Sequence, residues 1–117
     1  MGEYIDVMKE SELKEGSMKA ISVRGQSILV ARVGGAFYAT SGVCPHMKGE
    51  LARGTLNGTI VTCPRHGSQF DVRDGHVVRW TEWSGARLAL GKLFRPPTRL
   101  KCYQAKTEDD RVLVEVP

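Results

Sequence analysis

The feature that most constrains this chain is a pair of short segments that each contain one cysteine and one histidine. The first is Cys44-Pro45-His46, and the second, after 16 intervening residues, is Cys63-Pro64-Arg65-His66. Between them lies Asn57-Gly58, the dipeptide most typical of a tight β-hairpin. A hairpin at that position would bring the two segments together at one end of a small sheet, where their four side chains could hold a metal centre from two sides.

Two kinds of centre bind two cysteines and two histidines. Zinc sites of this composition are tetrahedral and usually take both cysteines from one half of the motif and both histidines from the other. In a Rieske-type [2Fe–2S] cluster, two histidines replace two cysteines on one of the irons. Each segment here supplies one ligand of each kind and would therefore contact both irons. The pattern favours the two-iron cluster and leaves a structural zinc module as a remote alternative.

The same segments and their surroundings resemble the Rieske family over about residues 36 to 79. The matching stretches are Cys44-Pro45-His46, Gly54-Thr55-Leu56-Asn57-Gly58, Cys63 to Val72, and Asp74-Gly75. The resemblance implies one [2Fe–2S] cluster with Cys44, His46, Cys63 and His66 as its ligands. It also implies an antiparallel sandwich or small barrel with a cluster-binding subdomain inserted at about residues 41 to 79.

The residue pattern independently predicts an all-β fold. The 117 residues suit a single domain, residues 1 to 117. Short alternating runs separated by turn residues predict strands at 4–7, 19–23, 27–33, 36–40, 55–56, 59–62, 70–72, 76–78, 100–106 and 111–116. One helical turn is expected within 10–15. Residues 80–97 lack alternation and contain glycine and proline, so we expect a long loop there, of unassigned role.

Two absences indicate which members of the family the chain resembles. Respiratory and photosynthetic members have an additional cysteine in each cluster loop and a membrane anchor. The corresponding positions here are Gly49 and Arg65, and the chain has no apolar run of the length that spans a membrane. The chain is therefore similar to the soluble ferredoxins and oxygenase-type domains. Without a recognisable secretory signal, we expect a cytoplasmic protein.

Two positions near the second loop bear on the reduction potential. Ser68 occupies the position at which high-potential members have a hydroxyl that donates to a bridging sulfide. Phe70 occupies the position of a tyrosine in those members, so one of the two donors is missing. Hydrogen bonds to sulfur raise the potential, and the resemblance thus implies a low to intermediate value within the Rieske range of roughly −150 to +300 mV. A serine in such a loop could instead bond to backbone groups.

No catalytic arrangement is visible in the sequence. The histidines and cysteines of the motif would be used as ligands, and there is no nucleotide-binding glycine motif. We therefore expect a one-electron carrier, not an enzyme, that passes electrons from a reductase to an oxygenase or another redox enzyme. The alternative is a small electron-transfer subunit of an enzyme complex, similar to that of nitrite reductases.

Charge suggests where a redox partner would dock. Lys48 and Arg65 lie close to the ligand histidines in sequence, which predicts a basic docking face at the cluster tip for an acidic partner. The alternative is a basic face that is merely solvated. The net charge is only +4 and no lysine- or arginine-rich run is present, so nucleic acid binding is not indicated. We expect a monomer, with His76 on the surface and Cys102 as a buried apolar residue.

Overall fold

The computed structural model describes residues 2–45, 49–65, 67–80 and 98–116. These ranges contain two short 3₁₀ helices, Glu10–Glu12 and Leu51–Arg53, and eleven strands. The strands are β1 (Glu3–Lys9), β2 (Ser17–Val23), β3 (Gln26–Val33), β4 (Ala36–Ser41), β5 (Thr55–Asn57), β6 (Ile60–Thr62), β7 (Gln69–Asp71), β8 (Val77–Arg79), β9 (Cys102–Tyr103), β10 (Ala105–Glu108) and β11 (Arg111–Val116). The predicted all-β fold is confirmed, as is the helical turn within 10–15.

The strands form three antiparallel sheets. Two of them, with orders β1-β11-β10 and β2-β3-β4-β9, make up the base of the molecule. The third, β5-β6-β7-β8, runs from Thr55 to Arg79 and therefore lies within the segment predicted to be inserted. The bounds of that subdomain, about 41 to 79, stay a prediction. Among the described residues, no helix is both long and apolar enough to cross a membrane.

Strand β3 separates two apolar cores. Its residues from Ile28 to Ala31 are all buried, and because successive side chains of a strand point to opposite faces, each core receives every second one. Leu29 and Ala31 belong to the core beneath the third sheet, together with Cys44, Leu51, Val61, Cys63, Phe70, Val72, Trp80 and Leu100. Ile28 and Val30 belong to the core of the base, together with Met8, Leu13, Val23, Ala39, Val112, Val114 and Val116.

A turn at the end of β7 joins the third sheet to the base. The backbone N–H of Gly75 donates to the carbonyl of Asp71 at 2.7 Å, and the N–H of Leu100 donates to the carbonyl of Gly75 at 2.8 Å. Gly75 has a φ of +79°, and a β-carbon at that position would meet the Leu100 carbonyl, so only glycine fits. The returning chain is thereby held against the third sheet.

The Asp71 carboxylate stabilises this turn from within. It is 2% exposed and accepts hydrogen bonds from the backbone N–H of Arg73 (2.9 Å), from the Arg73 guanidinium (2.7 Å to Nη2) and from Thr59 Oγ1 (3.3 Å). The hydrogen bonds from Arg73 outweigh the effect of burial and lower the pKa of Asp71 from 3.8 to about 2. The charged form of this carboxylate is thus the stable one in the folded protein.

The sequence predicts one strand at 100–106, and this prediction is wrong. The chain forms β9 and β10 there, which lie in different sheets: β9 pairs with β4 and β10 pairs with β11. The break falls at Gln104, whose carbonyl accepts a hydrogen bond from the backbone N–H of Glu115 at 2.8 Å. Cys102 is exposed and not buried as predicted, because it lies on the edge strand of its sheet. The loop predicted at 80–97 lies, apart from Trp80, outside the described residues.

We predict that Asp71→Asn lowers the free energy of unfolding by about 2 kcal/mol at pH 7, since a pKa difference of nearly two units between the folded and unfolded protein corresponds to that energy. Urea unfolding followed by circular dichroism measures it. Because the folded pKa is the lower one, the stabilisation is present above pH 4 and is lost as the pH falls towards 2. Asp74→Asn, at an exposed carboxylate, is the matched control, and an equal loss in both variants would contradict the prediction.

Candidate metal centre

The two cysteines of the motif lie at the start of two loops that are closed in the same way. The backbone N–H of Cys44 donates to the carbonyl of Gly49 at 2.9 Å, and that of Cys63 donates to the carbonyl of Ser68 at 2.8 Å. Each bond therefore spans five residues. His46 lies within the first loop and His66 within the second by sequence, although both are outside the described residues. The hairpin of β5 and β6 connects the loops, as the sequence predicts.

Both cysteines are buried in the core beneath the third sheet. Cys44 is 0% and Cys63 2% exposed, although Pro64 and Arg65, which follow Cys63, are exposed. A thiolate in an apolar environment is costly unless a cation compensates its charge. Two buried thiols on adjacent loops, with a histidine two or three residues after each, thus form a donor set that suits two ferric ions better than it suits an empty core.

The two loops meet at Gly49, which is buried. A β-carbon built on Gly49 would lie 2.7 Å from Cys63 Sγ, closer than real side chains approach, and 3.1 and 3.2 Å from Cγ and Cδ of Arg65. The absence of a side chain at this position is therefore what lets the first loop reach the sulfur of the second. The two loops are thus in direct contact at the Cys63 thiol, as expected if both hold one cluster.

The second loop is also tied to the end of β8. Arg79 Nε donates to the carbonyl of Gly67 at 3.0 Å, and the buried Ser68 hydroxyl donates to the carbonyl of Trp80. A hydroxyl has one proton to donate, so a bond from Ser68 to a bridging sulfide would require the hydroxyl to rotate away from Trp80. The role of Ser68 toward the cluster stays a prediction.

The ring of Phe70 fills the space behind the loops. It is fully buried and packs edge-to-face against Trp80, with ring centroids 6.5 Å apart and an interplanar angle of 87°. Phe70 is thus a core residue, as predicted, and supplies no hydroxyl to the site. His76 is exposed, with Nδ1 2.6 Å from a carboxylate oxygen of Asp74, which agrees with the surface position predicted for it.

The outer face of the second loop is basic. A groove of about 310 Å³ runs beside it, lined by Arg53, Gly54, Thr55, Thr62, Cys63, Pro64, Gly67 and Arg79. Arg65 is exposed on the second loop itself. Arg53, which also lines the groove, forms an ion pair with Glu50 at 2.6 Å. Lys48, the other residue predicted for docking, lies outside the described residues.

Two residues that position the site were not identified from the sequence. In the sequence, Gly49 is distinctive only as the position at which respiratory and photosynthetic family members have a loop cysteine. Its contact with Cys63 depends on the approach of two separate loops. Arg79 is the last residue of β8 and is exposed, like many arginines at strand ends. A long-range contact to a backbone carbonyl has no signature in a single sequence, so neither role could have been read from it.

Comparison with known proteins identifies the class to which this fold and donor set belong. The profile of the family described as Rieske [2Fe–2S] domain matches residues 3–104. The chain belongs to the Rieske family and carries a [2Fe–2S] cluster of the type with two cysteine and two histidine ligands. This result decides against the zinc alternative.

Its relatives are ferredoxins. The chain is 29% identical to the ferredoxin component of the naphthalene 1,2-dioxygenase system of Pseudomonas aeruginosa, over 97% of this chain and 95% of that protein. It is 37% identical to the ferredoxin CarAc of Metapseudomonas resinovorans over 62% of this chain and 68% of that protein. The chain is accordingly an electron carrier of the ferredoxin type and not itself a catalyst.

Solved structures agree with this assignment. The ferredoxin of carbazole 1,9a-dioxygenase from Nocardioides aromaticivorans superposes with a TM-score of 0.78 at 25% identity, covering 95% of each chain. The terminal oxygenase of the same system matches with a TM-score of 0.82 at 23% identity, over 99% of this chain but only 30% of the oxygenase. At that identity the second match shows the fold alone.

We predict that Gly49→Ala strongly reduces the iron content of the purified protein, because the added methyl group would displace Cys63 Sγ. Iron per chain and visible absorbance measure the loss. Gly25→Ala is the control: its φ of +77° makes alanine unfavourable by about 1 kcal/mol, but no atom lies within 4 Å of the added methyl. The control should lose some stability and keep its iron. Equal iron contents in the two variants would show that Gly49 is not required for the cluster.

Proposed function

We propose that this chain accepts single electrons from a reductase and delivers them to the oxygenase component of an aromatic-ring dioxygenase-type system. The observation that carries the proposal is the pair of loops, each closed by an equivalent backbone hydrogen bond, whose cysteines Cys44 and Cys63 are both buried in the same core. Support comes from relatives that are ferredoxin components of dioxygenase systems. Further support comes from a solved complex of reduced oxygenase and oxidised ferredoxin in carbazole 1,9a-dioxygenase, in which the matching chain is 26% identical to this one.

Cys44, His46, Cys63 and His66 are the ligands we propose. When bound, the cluster supplies a centre that takes up and releases one electron near the potentials typical of Rieske proteins. The residues of the chain keep both thiolates away from water, and the closed loops fix the directions in which the sulfurs point. Ser68, if its hydroxyl turned toward the cluster, would add a hydrogen bond to sulfur and raise the potential.

Docking is proposed at the cluster tip, near Lys48 and Arg65. Arg65 is exposed on the second loop, and Arg79 lines the groove beside it, so positive charge lies next to the buried Cys63. An acidic surface on the partner would be attracted to this rim and would place its own redox centre close to the cluster. The N-terminal acidic residues do not oppose this arrangement, because several are paired within the base: Glu3 with Arg24, Asp6 with Arg111 and Glu12 with Lys19.

The described surface favours a carrier that exchanges partners over a permanently bound subunit. In the described ranges the exposed large apolar residues are Tyr4 and Val78, which lie on different sheets and form no continuous patch. We propose that the protein acts as a monomer in the cytoplasm, a reducing compartment that suits its buried thiols. Size-exclusion chromatography of the protein with its cluster tests the monomer directly.

We predict that His66→Cys lowers the reduction potential on the order of 100 mV, because a thiolate adds negative charge to the oxidised centre. His76→Cys, which changes an exposed histidine 48% accessible at its side chain, is the matched control and should leave the potential unchanged. Protein-film voltammetry and the EPR spectrum of the dithionite-reduced protein are the measurements. Identical behaviour of the two variants would remove His66 from the site.

We predict that charge reversal at the tip, Lys48→Glu or Arg65→Glu, slows electron transfer to an oxygenase about tenfold at low ionic strength, and that added salt narrows the difference. Stopped-flow reoxidation of the reduced protein by the carbazole dioxygenase oxygenase provides the rate. Lys9→Glu, on β1 of the base, is the control of equal charge change. A control as slow as the tip variants would place docking elsewhere.

A further inference from the structure

The side chain of Arg65 lies at the point where the two cluster loops meet. A β-carbon at Gly49 would be in contact with Cys63 Sγ and with Cγ and Cδ of Arg65 at the same time. The methylene groups of Arg65 therefore lie over the backbone of the first loop, next to the sulfur of Cys63. Gly49 and Cys63 are both buried, whereas Arg65 itself is exposed.

The backbone of the second loop directs the side chain of Arg65 toward the first loop. The N–H of Gly67 donates to the carbonyl of Cys63 at 3.2 Å, and the N–H of Cys63 donates to the carbonyl of Ser68 at 2.8 Å. Arg65 is thus at the middle of a tight turn whose two ends are joined. Pro64 further restricts the turn through its fixed φ.

We propose that the aliphatic part of Arg65 is a strap that spans the two cluster loops, holds Gly49 against Cys63 and keeps water from the Cys63 sulfur. The proposal rests on Cys63 being a cluster ligand. Long basic side chains commonly cover apolar surface with their methylene groups while the charged end stays in water. Arg65 is in this sense a positioning residue that acts on the cluster through Gly49 and Cys63.

The strap separates two properties of one side chain. Its methylene groups serve retention of the cluster, whereas its guanidinium serves the docking proposed above. Arg65→Met keeps an unbranched apolar chain and removes the charge. Arg65→Ala removes both. The two substitutions therefore report on the two roles independently.

The test measures the rate at which visible absorbance is lost when the protein with its cluster is incubated with an iron chelator. We expect Arg65→Ala to lose the cluster at least about threefold faster than the unmodified protein, since the Cγ and Cδ methylene groups that lie against Gly49 are removed. Arg65→Met should lose it at nearly the unmodified rate. Lys19→Ala, at an exposed lysine of the base that pairs with Glu12, is the control and should also remain unchanged.

A second readout keeps the two proposals distinguishable. Both Arg65→Ala and Arg65→Met should weaken the salt dependence of electron transfer to the oxygenase. Normal salt dependence in Arg65→Met together with rapid loss in Arg65→Ala would overturn docking and leave the strap intact. If His66→Cys has the same reduction potential as its His76→Cys control, the proposed ligand assignment is wrong, whatever the Arg65 variants show.

Three outcomes overturn the strap. One is loss of the cluster from Arg65→Ala at the unmodified rate, and another is equally fast loss from Arg65→Met. The third is purification of both variants without iron, because retention of the apolar chain would then have had no effect. The strongest form of the expected result is that Arg65→Ala purifies without iron whereas Arg65→Met purifies with its cluster.

Discussion

The hydrogen bond from each cysteine N–H to a carbonyl five residues further on is the constraint on which the rest of the site depends. In both loops it fixes the residue that carries the thiol. Backbone groups, not side chains, close the loops. The closing bonds therefore do not require the same residue types within the two loops. The same device at Cys44 and Cys63 makes the two halves of the site nearly equivalent, although one has a histidine two residues later and the other three.

The loops would not hold this geometry without the base. Leu29 and Ala31 of β3 contribute to the core that contains both cysteines, while Ile28 and Val30 of the same strand contribute to the core of the base. A strand buried on both faces transmits packing from one core to the other, because neither face can shift without disturbing its opposite. Leu100, bonded to the carbonyl of Gly75, closes the same core from the side on which the chain returns to the base. Both cysteines thus belong to a core that is packed continuously onto the base.

Local chemistry allowed much of the fold to be predicted. Period-two alternation located nine of the strands as single segments, and Asn57-Gly58 located the hairpin between the loops, although the turn itself is formed by Gly58 and Thr59. Residues 100–106 were misread because alternation reports that a segment is extended and not which sheet it joins. The exposure of Cys102 and the bond of Ser68 to Trp80 likewise depend on neighbours that are distant in sequence. The ligand pattern, which stays a prediction, has a signature in the sequence for the opposite reason, since its spacing is local to each loop.

An electron carrier must change its charge by one unit without moving the groups around its redox centre, because any rearrangement adds to the barrier for transfer. The described part of the site meets this requirement through short cross-links that do not depend on the state of the metal: the two loop-closing bonds, the bond from Arg79 to the carbonyl of Gly67, and the packing of Phe70 on Trp80. Preorganised groups of this kind need no reorientation at the moment of reaction. Behind the loops, Phe70, Val61 and Leu51 are fully buried and apolar, and such side chains have no large dipole that must reorient when the charge changes. Rigidity at the thiolates and charge at the rim therefore serve different steps, the first the transfer itself and the second the encounter that precedes it.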